Sequence, residues 1–229
     1  MRSVAVIGRK GGSGKTTIAV HLAIGLHLRG HRTVLADSDP QRSSVEVLKA
    51  RQAPGPEVIA TAGPKLFALQ TASVRAGAQA LVIDTPAVLE EEVAHAVVLS
   101  DLALMVVRPT FLDLAAAVRT SDIVRQLRKP GLIVLNQAAA PRENIEPPMV
   151  KRAIEALGLL RLPVAPVVIR SRAVYQSVLE SGCSAEERAV DVIAAQEMAA
   201  FCGFVERFAF GARRSDLPPP AVANIQVAE

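Results

Sequence analysis

The segment GRKGGSGKTT, Gly8 to Thr17, packs two lysines and a run of glycines into ten residues. Binding a polyphosphate requires several backbone N–H groups to converge on one point, through conformations that side chains obstruct. Gly11, Gly12 and Gly14 supply that freedom, with Ser13 between them. The loop lies between a strand-like SVAVIG and a helical TTIAVHLAIGLHLR, so a helix N-terminus faces the anion. In that setting Lys15 reaches the β- and γ-phosphates, and the Thr16 hydroxyl, followed by Thr17, ligates Mg²⁺. The strict pattern G-x-x-x-x-G-K-[ST] fails at one place: five residues before Gly14 stands Arg9. Two acidic stretches complement the loop. Asp37 and Asp39 follow an apolar run two residues apart, a spacing that puts both carboxylates on one side of a strand leaving a sheet. Asp84 ends the apolar LVID. Separate carboxylates at strand ends suit Mg²⁺, which keeps several of its waters.

These groups need a scaffold that brings strand ends together. Half of the 229 residues are apolar and a fifth are charged, enough for a sizeable core. Short apolar runs alternate with longer helical patterns, which points to an α/β fold: a doubly wound, mostly parallel sheet with helices on both faces. The patterns predict strands at 3–8, 32–36, 80–84, 102–107, 131–136 and 164–169, with a short one at 57–61. Helices are expected at 15–29, 43–51, 65–76, 89–99, 111–128, 147–157, 172–181 and 189–210. This makes one domain over residues 1–210. The tail 211–229, with three consecutive prolines, is expected to be extended or disordered. Apolar runs such as LALMVV are too short to span a membrane. No signal peptide stands before SVAVIG, and Cys183 and Cys202 lack metal-ligand spacing, so the expectation is a cytoplasmic protein.

KGGSGKTT, residues 10–17, resembles the deviant Walker A motif of the ParA/MinD family of P-loop ATPases, in which the first glycine is often absent and the early lysine defines the site. The resemblance implies that Lys10 reaches across an ATP-bound homodimer to the partner's phosphates, an act suited to a mobile ammonium. VLADSDPQRS is similar to the family's first switch segment, which implies that Asp37 helps hold hydrated Mg²⁺ and Asp39 orients the attacking water. LVIDTPA resembles the Walker B strand, with Asp84 holding Mg²⁺ through water. GLIVLNQ resembles the strand whose final Asn reads adenine, which nominates Asn136; an amide both donates and accepts. Lys10, Lys15 and Asp39 are thus the expected catalytic set, with ATP and Mg²⁺ as cofactors. Two departures stand out: Gly8-Arg9 where relatives often carry Asn and a short polar residue, and Thr85-Pro86-Ala87 where they commonly carry two prolines. The subgroup it is most similar to is the short ParA type, ParF- and McdA-like ATPases that position plasmids, carboxysomes or protein clusters. Such a switch implies an adaptor, ParB-like or other, that stimulates slow hydrolysis.

Net charge is +4, but its excess lies in residues 1–50, which carry 8 Lys/Arg against 3 Asp/Glu and include the loop itself. Any nucleic-acid surface is therefore a local patch. VIRSRAVYQSVLESG resembles the family's segment for non-specific DNA contact. It nominates Arg170 and Arg172, with Lys151 and Arg152 as a weaker pair, and implies association with the nucleoid. A solvated surface explains these charges equally well. The alternative from another class is a MinD-like membrane-associated ATPase. Phe201, Phe204, Phe208 and Phe210, with Val205, form an apolar stripe on the last helix; the first reading of that stripe is packing on the sheet. Iron–sulfur reductases on the same fold need paired cysteines earlier in the chain, and Cys183 and Cys202 come too late.

Overall fold

A computed structural model describes residues 1–87 and 90–211; the tail expected beyond Gly211 lies outside the described residues. Six strands form one parallel sheet in the order β3-β2-β4-β1-β5-β6. They are β1 (Arg2–Ile7), β2 (Thr33–Asp37), β3 (Glu57–Ala60), β4 (Ala80–Asp84), β5 (Leu102–Val107) and β6 (Gly131–Leu135). The helices between them are α1 (Lys15–Leu28), α2 (Ser43–Lys49), α3 (Leu66–Arg75), α4 (Glu90–Leu99) and α5 (Phe111–Gln126). After β6 come α6 (Pro148–Gly158) and the short α7 (Val174–Ser177) and α8 (Ala185–Arg188), then α9 (Val192–Phe210). The doubly wound sheet with helices on both faces is the expected fold class.

Each central strand is apolar on both sides because both faces are covered. Val4 and Val6 of β1, Val82 of β4 and Leu104 of β5 point to the side packed by α1 and α9. Their neighbours Ala5, Ile7, Ile83 and Met105 point to the side packed by α4, α5 and α6. The chain first winds from β1 to β2 and β3, then back through β4 to β5 and β6. The right-handed crossover rule puts the helices of the two excursions on opposite faces. Adjacent β1 and β4 therefore send their helices apart, and a crevice opens at their carboxyl ends.

Helix α1 packs against both the sheet and α9. Gly25 permits this: a Cβ there would lie 2.5 Å from the Cys202 sulfur of α9. The phenylalanine stripe of α9 faces the sheet, with Phe201 fully buried and Phe204, Phe208 and Phe210 packed against the same core. Among the described residues no helix is long and apolar enough to cross a membrane.

Three expectations need correction. Residues 164–169 do not form a strand. The segment runs beside β6 and makes only isolated parallel bridges, Val164 with Ile133 and Arg170 with Ala138. Pro163 and Pro166 interrupt the ladder, since neither has an N–H to donate. The helix expected over 172–181 is one α-turn, α7, followed by a 3-10 turn at Val178–Ser181, and it stops at left-handed Gly182. The helix expected from 189 begins at Val192, because the Asp191 carboxylate caps the N–H groups of Ile193 and Ala194.

His21 of α1 is wholly buried; its Nδ1 lies 2.9 Å from the Thr17 carbonyl, and its Nε2 has no partner among the described residues. Burial lowers its pKa from 6.5 to about 4, against the Thr17 bond that raises it. A depressed histidine pKa means the unfolded chain takes up the proton first while the folded ring stays neutral, so stability is lost as pH falls from 6.5 towards 4. Thermal unfolding across that range should show His21→Leu with a shallower acid loss than the parent, the difference reaching ~3 kcal/mol.

Candidate nucleotide site

The loop after β1 turns sharply through two left-handed glycines, Gly12 at φ 73° and Gly14 at φ 91°. Gly14 also has no room for a side chain, because a Cβ would press into the Asn136 amide nitrogen. Lys15 opens α1 with only 7 % of its surface exposed. Burial lowers its ammonium from the ordinary value, while the charges of Asp84 and Asp39 pull it back up. Gly11 is exposed, and Thr16 and Thr17 are half-buried in the first turn of α1.

The acidic residues meet the loop from the neighbouring strands. Asp37 and Asp84 are register partners on β2 and β4, both fully buried. Asp37 accepts backbone N–H groups from Asp39 (3.1 Å) and Val45 (3.1 Å), which fixes its carboxylate at the end of β2. Asp84 accepts the Ser44 hydroxyl at 2.6 Å, and its other oxygen has no partner among the described residues. Burial pushes Asp84 up to about 6, opposed by the Ser44 and Thr16 hydroxyls. Asp39 is half-exposed and accepts the Gln41 N–H at 2.9 Å, a local turn that leaves it at the crevice rim. Lys10 is half-exposed and has no ion-pair partner among the described residues; it borders a small recess with Asp113 and Thr120 of α5.

Ser44, Arg108 and Gln137 were not legible as contributors in the sequence. Ser44 holds Asp84. Arg108, at the end of β5, is gripped through Nε and Nη2 by Asp113, at 3.0 and 3.1 Å, and its Nη1 lies 3.6 Å from where a Gly12 Cβ would stand. From the end of β6, Asn136 donates to the Ser13 carbonyl at 2.7 Å and Gln137 donates to the Gly12 carbonyl at 3.0 Å. Asn136 is thus at the loop, with its amide nitrogen engaged there and its amide oxygen still able to accept from a base.

The residues expected to grip DNA stand elsewhere and are differently engaged. Arg170 is only 12 % exposed and forks onto Glu146 at 2.6 and 2.8 Å, with a third bond to the Ala139 carbonyl. Arg172 lies 3.8 Å from Asp191 and 3.9 Å from Glu197, its Nε buried. Both are internal ion pairs, where free cations were expected, because Glu146 and Glu197 fold back onto the segment. Lys151 and Arg152 are exposed on α6.

The buried lysine, together with the Asp84 oxygen and the buried Ser13 hydroxyl that have no partner among the described residues, fits a ligand that brings both negative charge and a cation. A magnesium-bound polyphosphate is such a ligand. The loop geometry carries its own test. Gly14→Ala should cost ~1–3 kcal/mol in denaturant unfolding, from left-handed strain plus the clash with Asn136. Gly11→Ala, with open space around it, should stay within ~0.5 kcal/mol of the parent.

Comparison with known proteins agrees with this geometry. Residues 4–182 match the family described as the CobQ/CobB/MinD/ParA nucleotide binding domain. Maintenance of carboxysome distribution protein A from Halothiobacillus neapolitanus is 34% identical over 194 residues, covering 80% of this chain and 85% of that protein. Its namesake from Gloeobacter kilaueensis is 31% identical over 188 residues, covering 80% and 83%. Among solved structures, apo McdA from Cyanothece superposes with a TM-score of 0.74 at 14% identity, covering 90% of this chain and 99% of that one. MinD from Pyrococcus horikoshii, complexed with Mg-ADP, gives 0.71 at 18% identity, covering 93% and 99%. The family match spans well over half the chain, with the phosphate loop and both acidic strand ends inside it: the chain belongs to the CobQ/CobB/MinD/ParA family of nucleotide-binding domains.

Proposed function

We propose that residues 1–210 form an ATPase domain that works as a molecular switch to position a cargo inside the cell. The observation that carries this reading is the pairing of two lysines around one glycine loop, Lys15 buried near Asp84 and Lys10 half-exposed without an ion-pair partner among the described residues. The relatives named for carboxysome distribution support the positioning role. Gly11, Gly12, Ser13, Gly14, Lys15, Thr16 and Thr17 would hold the phosphates of ATP. Thr16, Asp37 and Asp84 would hold Mg²⁺, which when bound neutralises charge on the β- and γ-phosphates. Asn136 would read the adenine through its free amide oxygen. Asp39, at the crevice rim, would orient the attacking water. Lys10 would complete the site of a second copy, so that ATP drives a homodimer.

The dimer would bind DNA without sequence preference and let go when an adaptor, ParB-like or of another kind, stimulates hydrolysis. On this reading the protein would act in the cytoplasm, on the nucleoid. Since Arg170 and Arg172 are internally paired, the exposed Lys151 and Arg152 of α6 are the better phosphate contacts. The packing of the α9 stripe against the core leaves the membrane alternative without support from that helix.

Four variants test the reading. Lys15→Ala should weaken Mg-ATP binding by about two orders of magnitude in calorimetry, since a buried, charge-assisted contact is lost. Asp39→Ala should bind ATP normally and hydrolyse it at a small fraction of the parent rate. On that background, light scattering should report a dimer with ATP and a monomer once Lys10→Ala is added; a dimer that survives the change removes Lys10 from the interface. DNA binding by the ATP-bound dimer should fall steeply with salt and weaken further in Lys151→Glu/Arg152→Glu, through lost counterion release. Recruitment to anionic liposomes with no binding to DNA would overturn the reading.

A further inference from the structure

Gln137, two residues past the end of β6, has its backbone in the left-handed region, at φ 54°. A residue with a side chain is strained there, and such strain persists only where surrounding contacts over-determine it. The contacts are present on both sides. Asn136 donates its N–H to the Val107 carbonyl at 2.8 Å, and Ala138 donates to the Ile169 carbonyl at 3.1 Å, so the backbone is pinned before and after. Between those pins the left-handed turn sends the Gln137 amide back onto the phosphate loop, 125 residues away, where Nε2 donates to the Gly12 carbonyl at 3.0 Å. The adjacent Asn136 does the same to the Ser13 carbonyl.

A loop that aims its N–H groups at an anion must turn successive carbonyls away from it, and a carbonyl that swings back would repel the phosphates. We propose that Gln137 is a positioning residue for polyphosphate binding, holding the Gly12 carbonyl outward so that the loop is set before the ligand arrives. This inference rests on the nucleotide reading above and adds a residue to it: Gln137 acts on the phosphates through the loop and touches no part of the base. It also ties the end of β6, where the base would lie, to the loop that grips the phosphates.

Gln137→Glu tests this, being the same shape but unable to donate at neutral pH, with Gln137→Ala as the second variant should the first fail to fold. The probes are Mg-ATP, Mg-ADP and inorganic tripolyphosphate with Mg²⁺, titrated calorimetrically into the full chain. All three should weaken by a common factor, about 5- to 10-fold for the alanine variant and more for the glutamate. Without any ligand, amide hydrogen exchange at residues 12–15 should quicken while the core strands keep their protection. Loss confined to ATP and ADP, with tripolyphosphate unchanged, would make Gln137 a base contact and overturn the proposal. So would unchanged affinities together with unchanged exchange. A parent chain that binds none of the three would instead overturn the nucleotide reading itself.

Discussion

The arrangement depends on one electrostatic constraint: Lys15, Asp37 and Asp84 are all nearly or wholly buried at the carboxyl ends of β1, β2 and β4. Buried charge is costly unless paired or hydrogen-bonded. Here Lys15 answers to Asp84 and Asp39, Asp37 takes two backbone N–H groups, and Asp84 takes the Ser44 hydroxyl. The compensation is incomplete, since one oxygen of Asp84 and the Ser13 hydroxyl are left without partners among the described residues. A cluster balanced this way is stable enough to fold and still has bonds to give a ligand. The parallel sheet makes it possible, because only a switch point brings a helix N-terminus and carboxylates from the neighbouring strands into one crevice.

The same crevice joins two kinds of element. On one side stands the rigid pair α1 and β1, locked to α9 by the close approach at Gly25. On the other stands the segment from Asp37 to Ser44, which reaches Asp84 through two hydroxyls, Ser38 to its carbonyl and Ser44 to its carboxylate. Those short, specific bonds tie the position of α2 to Asp84.

Most of the scaffold was legible in the sequence because strand and helix periodicities are local. The phosphate loop was legible for a related reason: its glycines and lysines must be adjacent in the chain to act together. The failures were tertiary. The run from Val164 to Ile169 has strand-like side chains, but two prolines cannot serve a ladder. The ion pairs of Arg170 with Glu146 and of Arg172 with Glu197 join residues more than twenty positions apart, so no local pattern announces them. Gln137 gave no signal at all, because its value comes from a contact spanning more than half the chain.

Those two prolines have a consequence for how copies of this chain can meet. An exposed strand edge is a template for pairing with another molecule. Beside β6 the edge is taken by the segment from Pro163 to Ser171, which fills the β6 groups it faces and then presents proline nitrogens that cannot donate. At the opposite border β3 is four residues long, too short to recruit a neighbour firmly. Both borders of the sheet thereby offer little template for runaway strand addition, which disfavours polymerisation of these molecules through their own β-structure.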